Sequence, residues 1–238
     1  MRQRNTIKGV YREGSGFGYF LLCILITGLS YGLYKGMLDN YLAEVVKMGE
    51  MDRGITEFFR ELPGIALVFI LAAFYMLSAE TLFKAGAVIM LCGMAMHALL
   101  PASKVLATLA ICVYSLGEHI QLGMKSTLSL QYAKAGRSGA AQGIQNSVNQ
   151  IGTLVGYLVI VGAFSMIAKE EQPYKLFFGL AAILAAVSMI CSLKISGNSE
   201  TDKISAGSIS TKNTPSIICW KCSTVPVSRY FLPSALMC

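Results

Sequence analysis

Six long stretches dominated by apolar side chains, each closed by charge, proline or glycine, restrict what this chain can fold into more than any other feature. They run over about Gly16–Leu38, Ile55–Leu77, Leu82–Leu100, Lys104–Leu130, Gly139–Ala168 and Pro173–Leu193. An α-helix rises about 1.5 Å per residue, so roughly twenty residues cross a ~30 Å hydrocarbon core with every backbone amide bonded inside the segment. Hydrophobic residues make up 54% of the chain and charged residues 14%, with a mean hydropathy of +0.57. Soluble domains carry about 25% charge, and a chain with so much less cannot keep a water-facing surface wet. The expectation is an all-α, polytopic membrane protein whose six transmembrane helices form one bundle.

Three regions follow from this pattern: a basic N-terminus over 1–15, a six-helix domain over 16–195, and a polar tail over 196–238. From Ser196 to Ser216 the tail is rich in Ser, Thr, Gly, Asn and Lys without apolar periodicity, which predicts disorder. Its last stretch, Ile217–Cys238, is more apolar but is broken by Lys221, Pro226, Arg229 and Pro233, so a seventh span is not expected there. The first apolar run is too long for a signal-peptide core and no small-residue cleavage site follows it closely, so it reads as a retained span.

The net charge of +7 does not point to nucleic acid. Much of the excess is Arg2, Arg4, Lys8 and Arg12 and lysines at helix ends, with no basic, aromatic-interleaved surface. Juxtamembrane Lys and Arg match anionic lipid head groups and set topology. With both termini inside, the cytoplasmic side also collects Lys84, Lys134, Arg137 and Lys194, against Lys47, Arg53, Lys104, Lys169 and Lys175 outside. Of the seven cysteines, Cys23, Cys92, Cys112 and Cys191 lie inside apolar runs and read as small hydrophobes. Cys219 and Cys222 form one CxxC with no second pair, which does not make a metal site. Phosphate-binding loops, HExxH and nucleophile elbows are missing, so neither catalysis nor a cofactor or metal is expected.

Polar groups inside apolar spans are expensive, which makes them candidates for a pathway. On the fifth span Gln142, Gln145, Asn146, Asn149 and Thr153 fall at i, i+3, i+4, i+7 and i+11, on one helix face. They either line an aqueous cavity or bond neighbouring helices, and the length of the stripe favours a cavity. The fourth span carries Glu118, His119, Gln121 and Lys125, of which Glu118, Gln121 and Lys125 share a face. Glu118 near mid-span needs a cation or a proton, and His119 is either a proton relay with Glu118 or an ordinary packed histidine. Asp39 and Asn40 close the first span, and Arg60 and Glu61 open the second. An ion pair of Arg60 with Asp39 or Glu61 would gate or join helices, or these charges anchor at the interface. Gly139 with Gly143, and Gly152 with Gly156, have the spacing that lets helices approach closely.

The stretches GLSYGLYKGMLDNYLAEV, RGITEFFRELPG, GEHIQLGMKSTLSLQYAK and GAAQGIQNSVNQIGTLVGYL carry a likeness. Over about Gly16–Leu193 the chain resembles the N-terminal six-helix half of a major facilitator superfamily transporter, most like bacterial members without an assigned substrate. The resemblance implies half of that fold, placement in the plasma (bacterial inner) membrane, and secondary transport of a small solute, with membrane lipid as surroundings. It also implies a second six-helix half as partner, whether another copy or a split chain. Between spans two and three, LSAETLFKAG stands where the family has a Gly-rich basic loop, leaving Glu80 and Lys84 as charge partners. GTLVG replaces the proline motif of drug–proton antiporters in span five, so drug export is not implied. The change of character after Gly197 leads us to expect a truncated or frame-disrupted product. The competing expectation is a non-transporting membrane subunit or scaffold whose polar stripes only pack helices.

Overall fold

A computed structural model describes residues 7–12, 16–74, 76–166 and 171–195, all within one compact unit, Met1–Asn198. The tail over 196–238, including Cys219 and Cys222, lies outside the described residues. The described chain is helical, with one isolated bridge between Tyr11 and Ala133. A four-residue helix α1 (Ile7–Val10) is followed by six long ones: α2 (Phe17–Glu44), α3 (Glu50–Ala73), α4 (Ala79–Leu99), α5 (Lys104–Tyr132), α6 (Ser138–Phe164) and α7 (Glu171–Ser192).

Five of these, α2, α4, α5, α6 and α7, are long and apolar enough to cross a membrane. The remaining expected span, the second along the chain, is helical, but α3 carries Glu50, Asp52, Arg53, Glu57, Arg60 and Glu61 in its first half and only its second half is apolar. The helix ends also differ from the sequence reading. The sequence puts the end of the first span at about Leu38 and the start of the second at about Ile55, yet α2 continues to Glu44 and α3 begins at Glu50, so the connection is five residues, 45–49. Tyr41 and Leu42 explain the extension, since both are buried against the bundle and packing holds the last turns helical.

Large apolar side chains face outward in stripes. Leu176, Ile183 and Ile190 on α7, spaced by seven residues, are 72%, 62% and 58% exposed. A helix that shows such a stripe to its surroundings while burying Phe178, Ala181 and Ala185 on the other side is built for lipid.

The pairings form a simple scheme. α2 packs along α6 as α5 packs along α3, α2 lies on α7 as α5 lies on α4, and α4 meets α7. Exchanging α2–α3–α4 with α5–α6–α7 leaves this set unchanged. Glycines permit the closest approaches. A Cβ on Gly28 or Gly32 of α2 would run into the backbone of Asn149 or Thr153 on α6, and Gly152 and Gly156 meet the α2 backbone in return. On the other pair, a Cβ on Gly93 would stand 2.6 Å from the Tyr114 amide, and one on Gly117 2.6 Å from the Gly86 carbonyl. Gly139 and Gly143, which share the motif spacing, have open space around them, because their face of α6 meets no neighbour.

Small hydroxyls add directional bonds between α2 and α7. Ser30 donates to the Ala181 carbonyl at 2.8 Å, Ser188 donates to the Cys23 carbonyl at 3.1 Å, and Thr27 and Ser188 hydroxyls lie 2.7 Å apart. Ahead of α2, residues 10–12 fold back on the bundle. The Arg12 amide donates to the Tyr132 carbonyl and the Lys134 amide to the Val10 carbonyl, both at 2.9 Å. Tyr11, fully buried, stacks on Phe17 and donates its hydroxyl to the Ala141 carbonyl at 3.0 Å.

Candidate functional site

α5 and α6 meet far less closely than α2 and α6 or α4 and α5, and a cavity of about 240 Å³ lies between them. α2 contributes Ile24, Thr27 and Tyr31 to its wall, α4 Met90, α5 Glu118, Gln121, Leu122 and Lys125, and α6 Asn149, Gln150 and Thr153. Five residues expected on a pathway, Glu118, Gln121, Lys125, Asn149 and Thr153, therefore surround one space from two helices. The 3.6-residue period brings them there: Glu118, Gln121, Leu122 and Lys125 are one face of α5, and Asn149 and Thr153 are successive turns of α6.

Glu118 is the central charge. Lys35, His119, Arg60 and Lys125 all lie within electrostatic range of it, and the Tyr31 hydroxyl is within hydrogen-bonding reach of its carboxyl. Gln121 donates to the Phe83 carbonyl at 3.4 Å, a long bond that ties the amide to α4. Thr153 donates back to the Asn149 carbonyl at 3.0 Å, so its hydroxyl is spent inside its own helix. Thr27, Tyr31 and Lys35 follow one another along one face of α2, Lys35 one turn beyond the cavity wall. The sequence reading missed them. Ending the first span at Leu38 made Lys35 a terminal charge, whereas in a helix that runs to Glu44 it stands more than two turns inside.

The stripe on α6 divides. Gln142 donates to the Ser126 carbonyl of α5 at 3.0 Å and joins helices. Gln145 is fully buried away from the cavity, with neither amide atom bonded to protein. Asn146 is exposed on the open side of α6. A face of a helix spans about 100°, and a neighbour crossing at an angle covers only part of it, so one stripe has four environments, the cavity wall among them.

The charges at the Glu44 end of α2 sort differently from the expected Arg60–Asp39 pair. Asp39 pairs with Arg53 at 3.2 Å, while Arg60 binds Glu57 at 2.6 Å and Glu61 at 2.8 Å, keeping the second of its two expected partners. Asn40 is exposed. His119 turns to α3, away from the cavity: its Nδ1–H donates to the Ser115 carbonyl at 2.9 Å and its Nε2 lies 3.9 Å from Glu61. Gly64 leaves room for that ring, since a Cβ there would come within 2.6 Å of Nε2.

Between α3 and α5 a second, mainly apolar groove of about 410 Å³ includes Ile55, Phe59, Val105 and Leu109. One of its ends is closed by Lys104, which donates to Asp52 at 2.5 Å. That bond, with the Gly49 amide at 3.1 Å, holds the Asp52 carboxyl below the usual carboxylate range. No protein-family model matches the chain, and no curated protein is significantly similar to it.

Proposed function

We propose that the chain is an MFS-type six-helix half that carries a small solute across a membrane by secondary transport. The observation that carries this reading is the cavity between α5 and α6, where Glu118 and Lys125 meet the amides of Gln121 and Asn149 deep in an otherwise apolar bundle. Charged and amide groups at that depth cost several kcal/mol unless paired or wetted, and a solute-sized space beside them gives the cost a purpose. The exchange pattern of the helices supports the same reading. With α3 crossing, the two three-helix units would enter from opposite sides, as the inverted repeats of this transporter class do. In this reading α3 is the sixth span, its charged half at the outer interface and both termini cytoplasmic in a bacterial inner membrane. A second six-helix half, from another copy or a separate chain, covers the open side where Asn146 and Gln150 are exposed.

The test is a screen of labelled solutes on protein reconstituted in liposomes, followed by Glu118→Gln and Asn149→Ala. Transport predicts accumulation of at least one solute, lost in both variants while their melting temperatures stay close to the parent's. A second reading, a subunit that moves nothing, is favoured by Gln142, whose amide serves helix joining. It predicts no accumulation and a large loss of stability in both variants.

A further inference from the structure

Charge in and around the cavity is unequal. Lys125 stands in its wall and Lys35 one turn beyond Tyr31, while Glu118 is the one acid among the lining residues. Among the described residues, neither lysine has a carboxylate within ion-pair distance. The remaining acids nearby are already engaged: Glu57 and Glu61 hold Arg60, and Asp39 holds Arg53. Both of the Arg60 partners are more than half exposed, where solvent screens them. His119, also near Glu118, is directed to Ser115 and Glu61 on the side that faces α3. Lys125 in the wall and Lys35 just beyond it both act on the one glutamate, which leaves one positive charge unmatched beside a space walled by Ile24, Met90 and Leu122.

We propose that the cavity is selective for a compact organic anion of single charge, such as a monocarboxylate, drawn in by Lys125 and Lys35. This inference rests on the transport reading and adds the class of solute. A singly charged anion completes the charge balance that Glu118 leaves short, and the amide of Asn149 in the cavity wall can donate to its oxygens. A volume of about 240 Å³ corresponds to roughly eight waters at the ~30 Å³ each occupies in the liquid, which suits a solute of a few carbons.

The potential can be read without knowing the solute. Cysteine is placed at the cavity wall by Asn149→Cys, and independently by Gln150→Cys, in the full chain reconstituted in liposomes. Each variant is treated with anionic sulfonatoethyl and cationic trimethylammonioethyl methanethiosulfonate. Rates are corrected for the native cysteines and divided by those of a free thiol. We expect the anionic reagent to react faster by about tenfold, the size of one charge acting through a partly wetted interior, and Lys125→Gln to bring the ratio close to one. Equal rates, a faster cationic reagent, or a ratio that Lys125→Gln leaves unchanged would overturn the anion assignment while leaving a wet cavity in place. Failure of both reagents at both positions would remove the cavity's access to water, and the transport reading with it.

Discussion

Pro63 interrupts α3 near the boundary between its charged and apolar halves, and α5 supplies what the interruption removes. Proline has no amide hydrogen, so the Phe59 carbonyl four residues earlier loses its helical donor. The Cys112 thiol donates to that oxygen at 3.5 Å, and the Ser115 hydroxyl donates to the Arg60 carbonyl at 2.5 Å. Replacing Ser115 by alanine should lower stability by about 1 kcal/mol, the usual size of one such bond, seen as a reduced melting temperature in detergent. Gly64→Ala should cost about 1 kcal/mol by driving the His119 ring from its bond to Ser115. In His119→Ala the same glycine change should cost almost nothing, and additive losses in the double variant would show that the two residues do not meet. Neither contact was legible in the sequence. The proline and the histidine are visible in it, but their meeting depends on how α3 crosses α5, which no local pattern encodes.

At the level of helices, two glycine pairs with one spacing have opposite surroundings. Gly152→Ala and Gly156→Ala should each destabilise by about 1–3 kcal/mol, because an added methyl meets α2 backbone that cannot move aside. Gly139→Ala and Gly143→Ala should be neutral or stabilising by up to about 1 kcal/mol through helix propensity, since nothing stands near them. Equal effects at all four would contradict the α2–α6 contact. The contrast marks how far patterns reach. Long apolar runs made the helices legible, and the period of Glu118, Gln121 and Lys125 placed them on one face. Which partner a face meets was not legible, so Gln142, Gln145 and Asn146 were grouped with residues they do not join. The same limit hid the bridge from α5 to α3 made by Lys104 and Asp52. Its carboxyl is depressed, so its stabilisation is complete above the unfolded value near 3.8 and disappears as pH falls through the lower folded value. The melting temperature of the parent should therefore exceed that of Asp52→Asn at pH 6, with the gap closing as the pH is lowered below about 4.

For the whole molecule, the open question of topology rests on α3. If it crosses the membrane, its two ends face opposite compartments, and cysteines placed by Lys47→Cys and Ser78→Cys should label from opposite sides with an impermeant maleimide. Labelling of both from one side would leave five crossings and put the two chain termini on different sides. The exchange of α2–α3–α4 with α5–α6–α7 favours the first outcome, because it makes α3 the counterpart of α6, which is long and apolar enough to cross. The N-terminal residues bear on another property. Val10, Tyr11 and Arg12 are held by Tyr132, Ala133, Lys134 and Ala141, partners more than a hundred positions later in the chain. A ribosome delivers Val10, Tyr11 and Arg12 long before it delivers α5, so they wait for these partners while α2 to α5 are made. A segment made so far ahead of its partners finds its seat late, and its docking reports that α5 and the start of α6 have arrived.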